Sequence, residues 1–322
     1  MKKVRILYIG PMEDPNYHNA FILELEKVAH VDYFPFFVQA YFTNPFIKAG
    51  LWHTAEIAKQ KHYDKLLLYN NYDYILVRFG FQIKDEIYTK LRINNPSAKF
   101  VNFHWDSLKE RYNYLPIMKH FDRIISFDIQ DCKNNPTIEY LPLFYLNEYA
   151  TLQGRQIISK PDIDLLFIGA WRSKERYELT MKTKHLCKKN GLVFRYYLYV
   201  RPIDFFYSLY KGKYIKEAKL RMLSPKKIIK LFSKSRAIID FSNSFQSGYT
   251  MRTIETLGAG KKLITTNRNI VNEPFYDKNI ISVISPEELN MDIDFIKNED
   301  EVKLISNIDD FSIRSYVKKL LL

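Results

Sequence analysis

Cysteine and long apolar runs are both scarce in this sequence of 322 residues, and each scarcity excludes a class of protein. The two cysteines, Cys132 and Cys187, lie far apart and form no C-x-x-C pair, which argues against a disulfide framework and a zinc site. The apolar run near the start extends only from Ile6 to Ile9 before Gly10 interrupts it. That length is too short for a signal peptide or a membrane span. We therefore expect a protein of the reducing cytoplasm that has no transmembrane helix.

Acidic residues are outnumbered, since 49 Lys and Arg stand against 36 Asp and Glu and give a formal net charge of +13. Such a surplus favours an anionic partner, although a basic soluble protein without one would have the same composition. The many aromatic residues, 24 Tyr and 23 Phe, suit sugar-binding platforms and membrane interfaces. The basic residues are spread along the chain and no known nucleic-acid-binding signature accompanies them, so we expect no nucleic-acid partner.

Apolar, β-branched runs alternate with helical patterns along the whole chain. The first run, Val4–Ile9, stops at Gly10 and precedes a helical pattern from about Asn19 to Ala29, which is how a Rossmann-like unit begins. The later strand-like runs of the first half are Val31–Val38, Tyr74–Arg78, Lys99–His104, Arg123–Phe127 and Ile138–Leu141. After a linker-like segment, Pro142–Pro161, the pattern restarts with Asp164–Gly169, Val193–Val200, Ala237–Phe241, Lys262–Thr266 and Ile280–Ile284. This alternation predicts an α/β fold with parallel sheets in two domains, over about residues 1–150 and 151–322.

Glycine is also scarce, yet three of the ten glycines, Gly248, Gly258 and Gly260, fall close together. The sequence around them predicts a strand, a polar loop, a helix that stops at glycine, and another strand. The start of this helix suits a diphosphate, because free backbone N–H groups and the positive end of the helix dipole favour anions. Glu255 is placed to accept hydrogen bonds from ribose hydroxyls, and Arg252 to contact phosphate or orient Glu255. The alternative is an ordinary helix with an exposed Arg252–Glu255 pair and a glycine cap.

The run from Gly248 to Asn267 resembles the nucleotide-binding segment of GT-B glycosyltransferases. The resemblance is greatest to bacterial polysaccharide and lipopolysaccharide biosynthesis proteins and to the related CgeB-like group. It implies an α/β chain with two Rossmann-like domains facing a cleft, the first holding the acceptor and the second the nucleotide sugar. It also implies a ribose ligand in Glu255, and phosphate neighbours in Gly248, Tyr249, Thr250 and Arg252. Unlike the commoner two-glutamate pattern, this sequence has Ser247 or Gly248 where an acid would contact the donor sugar.

Further site residues follow from the same resemblance. A basic residue after the first strand of the second domain, Arg172 or Arg176, would face the donor phosphates, although a surface charge run is the alternative. An inverting reaction needs a base to deprotonate the acceptor, and in GT-B enzymes this base usually comes from the first domain. The candidates are Asp106 and His104, near the end of a strand, and Glu13, Asp14 and His18 in the first loop. The alternatives are a helix-capping role for Asp106 and a core position for His104.

The resemblance thus predicts a glycosyltransferase that moves a sugar from a nucleotide sugar to a cell-surface glycan, such as lipopolysaccharide O-antigen, capsule or exopolysaccharide. The expected partners are the donor and a glycan or lipid-linked glycan acceptor, at the inner face of a bacterial cytoplasmic membrane. We expect no cofactor and no metal, because the acidic triplets at Asp162 and Asp292 do not follow strands and the histidines lack ligand spacing. The alternatives are another GT-B enzyme, such as a nucleotide-sugar epimerase or polyol-phosphate transferase, and a non-catalytic membrane-binding or nucleic-acid-binding protein.

Two segments outside the nucleotide-binding run also carry expectations. Aromatic residues from Phe205 to Tyr210 precede a basic stretch from Lys211 to Lys230, which suits an anionic lipid surface or a lipid-diphosphate acceptor, with a solvated helix face as the alternative. The last residues, Ser315–Leu322, are expected to return to the first domain, as the final helix of GT-B proteins often does.

Overall fold

The computed structural model describes residues 3–11, 15–36, 52–108, 113–154, 162–212, 215–243, 245–298 and 304–322. The chain divides into two compact units, the first formed by Met1–Pro142 together with Ile313–Leu322 and the second by Leu143–Ser312. The division after Pro142 lies eight residues before the expected boundary. The C-terminal segment joins the first unit, so that expectation is confirmed, and the second unit ends at Ser312 instead of residue 322.

The first unit contains a parallel sheet in the order β2-β1-β3-β4-β5-β6 within the described residues. Its strands are β1 (Val4–Gly10), β2 (Ala29–Pro35), β3 (Tyr74–Arg78), β4 (Lys99–His104), β5 (Arg123–Ser126) and β6 (Ile138–Tyr140). Its helices are α1 (Pro15–Glu26), α2 (Trp52–Asp64), α3 (Asp85–Asn94) and α4 (Ile129–Asn134), with 3-10 turns at Lys65–Leu68 and Leu115–His120. The central strands are mostly apolar and are buried beyond their first residues, as expected of strands covered by helices on both faces.

The second unit repeats this plan with a parallel sheet in the order β8-β7-β9-β10-β11. Its strands are β7 (Ile163–Ala170), β8 (Phe194–Tyr199), β9 (Ser235–Asp240), β10 (Lys262–Thr265) and β11 (Ile281–Val283). Its helices are α5 (Asn147–Ala150), α6 (Lys174–Lys189), α7 (Pro202–Tyr210), α8 (Pro225–Ser233), α9 (Met251–Gly258) and α10 (Ile293–Lys297), with 3-10 turns at Arg268–Asn272 and Ile308–Phe311. The segment expected to be a linker carries α5, and its residues 155–161 lie outside the described part of the chain.

The final helix, α11 (Ile313–Leu320), packs within the first unit. Its Tyr316 hydroxyl accepts a hydrogen bond from Trp105 Nε1 at 2.9 Å, and Tyr74 donates to the carbonyl of Leu321 at 2.7 Å. Among the helices in the described ranges, none combines the length and the apolar character needed to cross a bilayer.

Strand order places a topological switch point in each unit. The chain moves from β1 to β2 on one side and to β3 on the other, and it moves from β7 to β8 and β9 in the same way. Loops at the carboxyl ends of such neighbouring strands diverge and leave a crevice, which is where open α/β sheets bind ligands. The β1/β3 and β7/β9 pairs are therefore the places to search for a site.

Candidate functional site

Arg176 lies at the carboxyl end of the β7/β9 pair in the second unit. Its Nη1 donates to the carbonyl of Ala170, the last residue of β7, at 3.4 Å, and its Nη2 donates to that of Phe241, just beyond β9, at 2.7 Å. The side chain of Ser173 caps α6 by accepting from the backbone N–H of Arg176, which fixes where the helix begins. Arg172 follows β7 at the same edge and is exposed. The expected pair of arginines thus lies at the switch point, with Arg176 bound to backbone carbonyls and Arg172 facing solvent.

The start of α9 is held by a buried carboxylate at the end of β9. Asp240 Oδ2 accepts hydrogen bonds from the hydroxyls of Thr250 at 2.6 Å and Thr253 at 2.8 Å. The Thr250 oxygen in turn accepts from the backbone N–H of Thr253 at 3.2 Å, which makes Thr250 the N-cap of the helix. This network satisfies one of the free N–H groups of the first turn and fixes the direction in which the helix leaves the sheet edge.

The loop before α9 is pinned from the segment that follows β10. The Tyr249 hydroxyl donates to Glu273 Oε1 at 2.6 Å, and its ring is buried. Asn267 Nδ2 donates to the carbonyl of Gly248 at 3.0 Å, and Asn269 Nδ2 donates to that of Ser247 at 3.0 Å. The side chain of Tyr249 therefore supports the loop from inside the unit, and the phosphate contact expected of it stays a prediction that only its backbone could fulfil in this conformation.

Glu255 has no exposed surface, in contrast to both interpretations of the sequence, which placed it within reach of ribose or in an exposed pair with Arg252. Its Oε2 lies 2.7 Å from Arg252 Nη1, and the Arg252 side chain retains only 15% of its exposure. The same Nη1 reaches the hydroxyl of Tyr149 at 3.4 Å, and the guanidinium lies 5.1 Å from the Phe232 ring centre. Burial and the negative charge of Glu255 raise the pKa of Tyr149 well above its usual value. The carboxylate is thus covered by Arg252, and its role as a ribose ligand stays a prediction.

The glycines at the end of α9 end the helix, as expected. Gly260 has a φ of +63°, and its N–H donates to the carbonyl of Leu257 at 3.0 Å, while that of Lys261 donates to Thr256 at 3.1 Å. This pair of bonds is the Schellman arrangement, which needs a left-handed residue after the helix. Gly258 serves a different purpose, because a Cβ at this position would overlap the ring of Tyr145.

Two of the base candidates, His18 and His104, lie within the electrostatic influence of a buried arginine in the first unit. Arg78 ends β3, keeps 5% of its exposure, and places its guanidinium 4.1 Å from the Trp105 ring centre. The next residue, Phe79, has a φ of +69°, which is uncommon for a residue other than glycine and often marks a functional turn. Sequence reasoning identified the strand that ends at Arg78 but missed the arginine itself; its position at a strand's carboxyl end was the available signal.

His104 is a buried, neutral imidazole. The amide nitrogen of Asn102 donates to the carbonyls of Val77 at 2.9 Å and Phe79 at 3.1 Å, so its oxygen is left to accept from His104 Nε2 at 2.6 Å. The ring stacks on Tyr114 with 3.4 Å between ring centres. Burial, and then the positive charge of Arg78, hold the pKa of His104 well below its usual value. The structure thus gives His104 the core position that the sequence left open, and its role as base stays a prediction.

His18 and Asp106 occupy contrasting environments. His18 lies within α1 instead of the first loop, is 1% exposed, and packs its ring 4.4 Å from that of Tyr33. Burial, followed by the charge of Arg78, lowers the pKa of His18. Asp106 lies two residues beyond β4 and is half-buried, and the described residues after it, Ser107 and Leu108, are not helical. Glu13 and Asp14 lie outside the described residues.

The fold of the chain is identified by comparison with solved structures. No protein-family profile and no curated protein sequence matches the chain. Solved structures match it along its whole length. An α-glucosyltransferase in complex with UDP has a TM-score of 0.60 at 14% identity, with 98% of each chain covered. A UDP-GlcNAc 2-epimerase from Neisseria meningitidis bound to UDP-GlcNAc has a TM-score of 0.54 at 10% identity, covering 99% of this chain and 98% of its own. MurG from Acinetobacter baumannii has a TM-score of 0.53 at 9% identity, with 99% of each chain covered.

The chain has the GT-B fold. Its two Rossmann-like units are the two parallel sheets described above, and the expected fold class is confirmed in that respect. Within this GT-B chain, Arg172, Arg176 and the start of α9 lie at the β7/β9 switch point, while His104 ends β4 and Asp106 lies two residues beyond it.

Proposed function

We propose that the chain is a nucleotide-sugar-dependent glycosyltransferase. The observation that carries the proposal is the convergence of Arg172, Arg176 and the start of α9 on the β7/β9 switch point. Support comes from the whole-length similarity to solved structures that hold UDP or UDP-GlcNAc. Such a site combines a helix N-terminus with arginines, the features that stabilise a diphosphate when it leaves the sugar. Uridine diphosphate is accordingly the first nucleotide to test.

Donor binding would change the partners of Arg252. Its guanidinium lies in the first turn of α9 and is partly exposed, so it can turn toward a diphosphate that settles at the helix start. The Glu255 carboxylate would then lose its ion pair with Arg252 and become available to the ribose hydroxyls. The charge-assisted hydrogen bond from Arg252 to Glu255 would be replaced by hydrogen bonds from the ribose hydroxyls, so the buried carboxylate would still have hydrogen-bond donors. We therefore propose that Glu255 binds the ribose after Arg252 has turned away.

Asp106 is the base we favour for an inverting transfer. Its carboxylate is the most accessible of the described candidates, whereas His18 and His104 are both 1% exposed. A base must come within hydrogen-bond reach of the acceptor hydroxyl, directly or through one water. The buried histidines and Arg78 would then shape the wall of the acceptor pocket, with Arg78 supplying positive charge.

The proposed acceptor is a cell-surface glycan, of the lipopolysaccharide, capsule or exopolysaccharide kind, in keeping with the CgeB-like and polysaccharide-biosynthesis resemblance of Gly248–Asn267. An acceptor of this class that is still attached to its lipid carrier would bring the enzyme to the inner face of the cytoplasmic membrane. No metal or organic cofactor enters this proposal, since the arginines and α9 would meet the leaving diphosphate.

A nucleotide-sugar epimerase is the second candidate. Two UDP-GlcNAc 2-epimerase structures match the chain about as well as the transferases do, with TM-scores of 0.56 and 0.54. The two reactions differ in their need for an acceptor. Conversion of UDP-GlcNAc incubated with the protein alone into its C2 epimer would establish the epimerase and exclude the transferase proposal.

Thermal unfolding with a panel of UDP, GDP, dTDP, CMP and ADP tests the proposed donor site. A nucleotide at ten times its dissociation constant contributes about 1.4 kcal/mol to stability, which raises the melting temperature by about 3 °C. We expect one nucleotide to stabilise the wild type and to fail on Glu255→Ala. Glu255→Gln keeps the shape of the buried side chain and guards against loss of the fold in the alanine variant.

The matched control is Glu178→Ala, which removes an exposed glutamate from α6 and should respond to the nucleotide as the wild type does. Stabilisation that survives both Glu255 variants would remove Glu255 from the site. A protein that melts cooperatively and responds to none of the five nucleotides would contradict the proposed function.

A further inference from the structure

Helix α7 carries an apolar stripe that faces solvent. Ile203, Phe206, Tyr207 and Tyr210 follow the i, i+3, i+4, i+7 spacing that brings side chains to one helical face. Their exposed fractions are 58%, 61%, 57% and 83%, and no residue of α7 is buried. A surface helix ordinarily turns such a stripe toward the core. Here the arrangement is inverted, and a contiguous exposed apolar surface of this kind marks an interaction site.

The same part of the chain concentrates the positive charge. Residues 201–230 contain nine Lys or Arg and only two Asp or Glu, so they hold a surplus of seven out of the whole chain's thirteen. Eight of these cations are exposed in the described residues: Arg201 and, within residues 211–230, Lys211, Lys216, Lys219, Arg221, Lys226, Lys227 and Lys230. The two acids already have partners, since Asp204 pairs with Arg201 and Glu217 accepts from Tyr196. Basic residues occur along the whole chain, but more than half of their surplus over acidic residues lies in this segment.

We propose that the α7 surface, meaning the apolar stripe of α7 together with the exposed cations of residues 211–230, binds an anionic phospholipid bilayer. Ile, Phe and Tyr side chains on one face of a short helix can enter the boundary between headgroups and acyl chains. The exposed Lys and Arg side chains of residues 211–230 are attracted to anionic headgroups. The two features act on the same partner, because an anionic bilayer offers apolar depth below a negative surface.

A second copy of the chain is a poorer occupant of this surface. A symmetric dimer contact places each patch against its own copy. The surplus of seven positive charges would then face an identical surplus, and like charges across an interface repel each other. The lipid surface has the opposite charge, so charge complementarity decides between the two occupants.

Vesicle co-sedimentation tests the proposal on the full chain. Vesicles of phosphatidylcholine alone are compared with vesicles that contain increasing fractions of phosphatidylglycerol. We expect the wild type to bind only the phosphatidylglycerol vesicles, and less at high salt, because screening weakens the attraction of exposed charges. The triple variant Phe206→Ser/Tyr207→Ser/Tyr210→Ser should lose at least about tenfold in partition coefficient, since three large apolar side chains no longer enter the bilayer.

Matched variants separate the two contributions. Leu68→Ser and Ile93→Ser remove exposed apolar side chains of the first unit, at 78% and 69% exposure, and should leave binding unchanged. Lys226→Glu/Lys227→Glu should weaken binding about as strongly as the triple variant, whereas the same charge reversal at Lys188 and Lys189 of α6 should have a much smaller effect. An emission blue shift of Phe206→Trp on adding phosphatidylglycerol vesicles gives an independent measure that needs no loss of function.

Two results would overturn the proposal. One is wild-type binding that does not depend on phosphatidylglycerol; the other is unchanged binding by the triple variant. A triple variant that turns a dimer into a monomer in size-exclusion chromatography, while the wild type ignores vesicles, would identify a second copy as the occupant. Nucleotide stabilisation is measured separately, so this inference can fail while the proposed donor site stands, and the reverse.

Discussion

Arg252 and Glu255 form the pair on which the donor site depends. Glu255 has no exposed surface, and Arg252, 2.7 Å away, offsets part of the cost of burying its charge. A buried ion pair of this kind contributes little net stability by itself. It keeps the Arg252 guanidinium at the start of α9, where it can exchange Glu255 for the diphosphate of a donor. The three-residue spacing of the two residues within one helix predicts that they pair. Their burial depends on Tyr149 and Phe232, which are distant in sequence, and no local pattern could reveal it.

The pH dependence of stability is a residue-scale consequence of the buried histidines. The pKa of His104 is lowered on folding, so the unfolded chain binds a proton that the folded chain does not. His104 therefore destabilises the fold progressively as the pH falls below about 6.5, the ordinary value for histidine. We expect the urea midpoint of the wild type to fall between pH 7 and pH 5, and that of His104→Gln to fall by less.

The slope with pH is the relevant quantity in that comparison, since His104→Gln also loses the ring stacked on Tyr114 and will be less stable at every pH. His185→Gln is the control, because it removes an exposed histidine and should keep the wild-type slope. Equal slopes in His104→Gln and the wild type would show that His104 is not the buried neutral group described above.

At the scale of an element, α9 is specified at both ends. Thr250 and Asp240 fix its start, and the Schellman bonds of Gly260 and Lys261 fix its end. These signals are local, and the sequence predicted the strand, the loop, the helix and its glycine stop in the right order. The contact of Gly258 with Tyr145 joins residues more than a hundred positions apart, and the sequence predicted helix termination and tight packing of the next strand here but not this contact.

Gly258→Ala tests that contact. Alanine favours a helix over glycine by about 1 kcal/mol, but its methyl group would overlap Tyr145, and overpacking of this kind costs about 1–3 kcal/mol. We expect a net destabilisation, seen as a lower urea midpoint with an unchanged slope. A Gly258→Ala variant more stable than the wild type would show that Tyr145 does not pack here.

The orientation of helix α7 is not determined by its sequence. The aromatic run Phe205–Tyr210 and the basic stretch that follows it are consistent with a lipid-facing role and with a solvated helix face. An i, i+3, i+4, i+7 stripe is equally consistent with a face turned to the core. Only the exposed fractions of Ile203, Phe206, Tyr207 and Tyr210 show that the stripe points outward.

At the scale of the whole molecule, one strand order is used twice. The orders β2-β1-β3-β4-β5 and β8-β7-β9-β10-β11 are the same, and in the second unit Arg176 and the start of α9 lie at the resulting switch point. Apolar runs revealed most of these strands, because parallel strands covered on both faces are apolar along their length. Their order in the sheet is set by long-range packing, so the position of Arg78 beside His18 and His104 could not be foreseen.

A crystal structure of the chain grown with UDP is the most direct test of the proposed donor site at the start of α9. We expect the diphosphate to lie within hydrogen-bond distance of the first backbone N–H groups of α9, beside the β7/β9 switch point. We also expect Arg252 to have turned from Glu255 toward the phosphates, and the ribose hydroxyls to contact the Glu255 carboxylate. UDP bound elsewhere in the second unit, with the 2.7 Å ion pair of Arg252 and Glu255 intact, would contradict the proposed donor site.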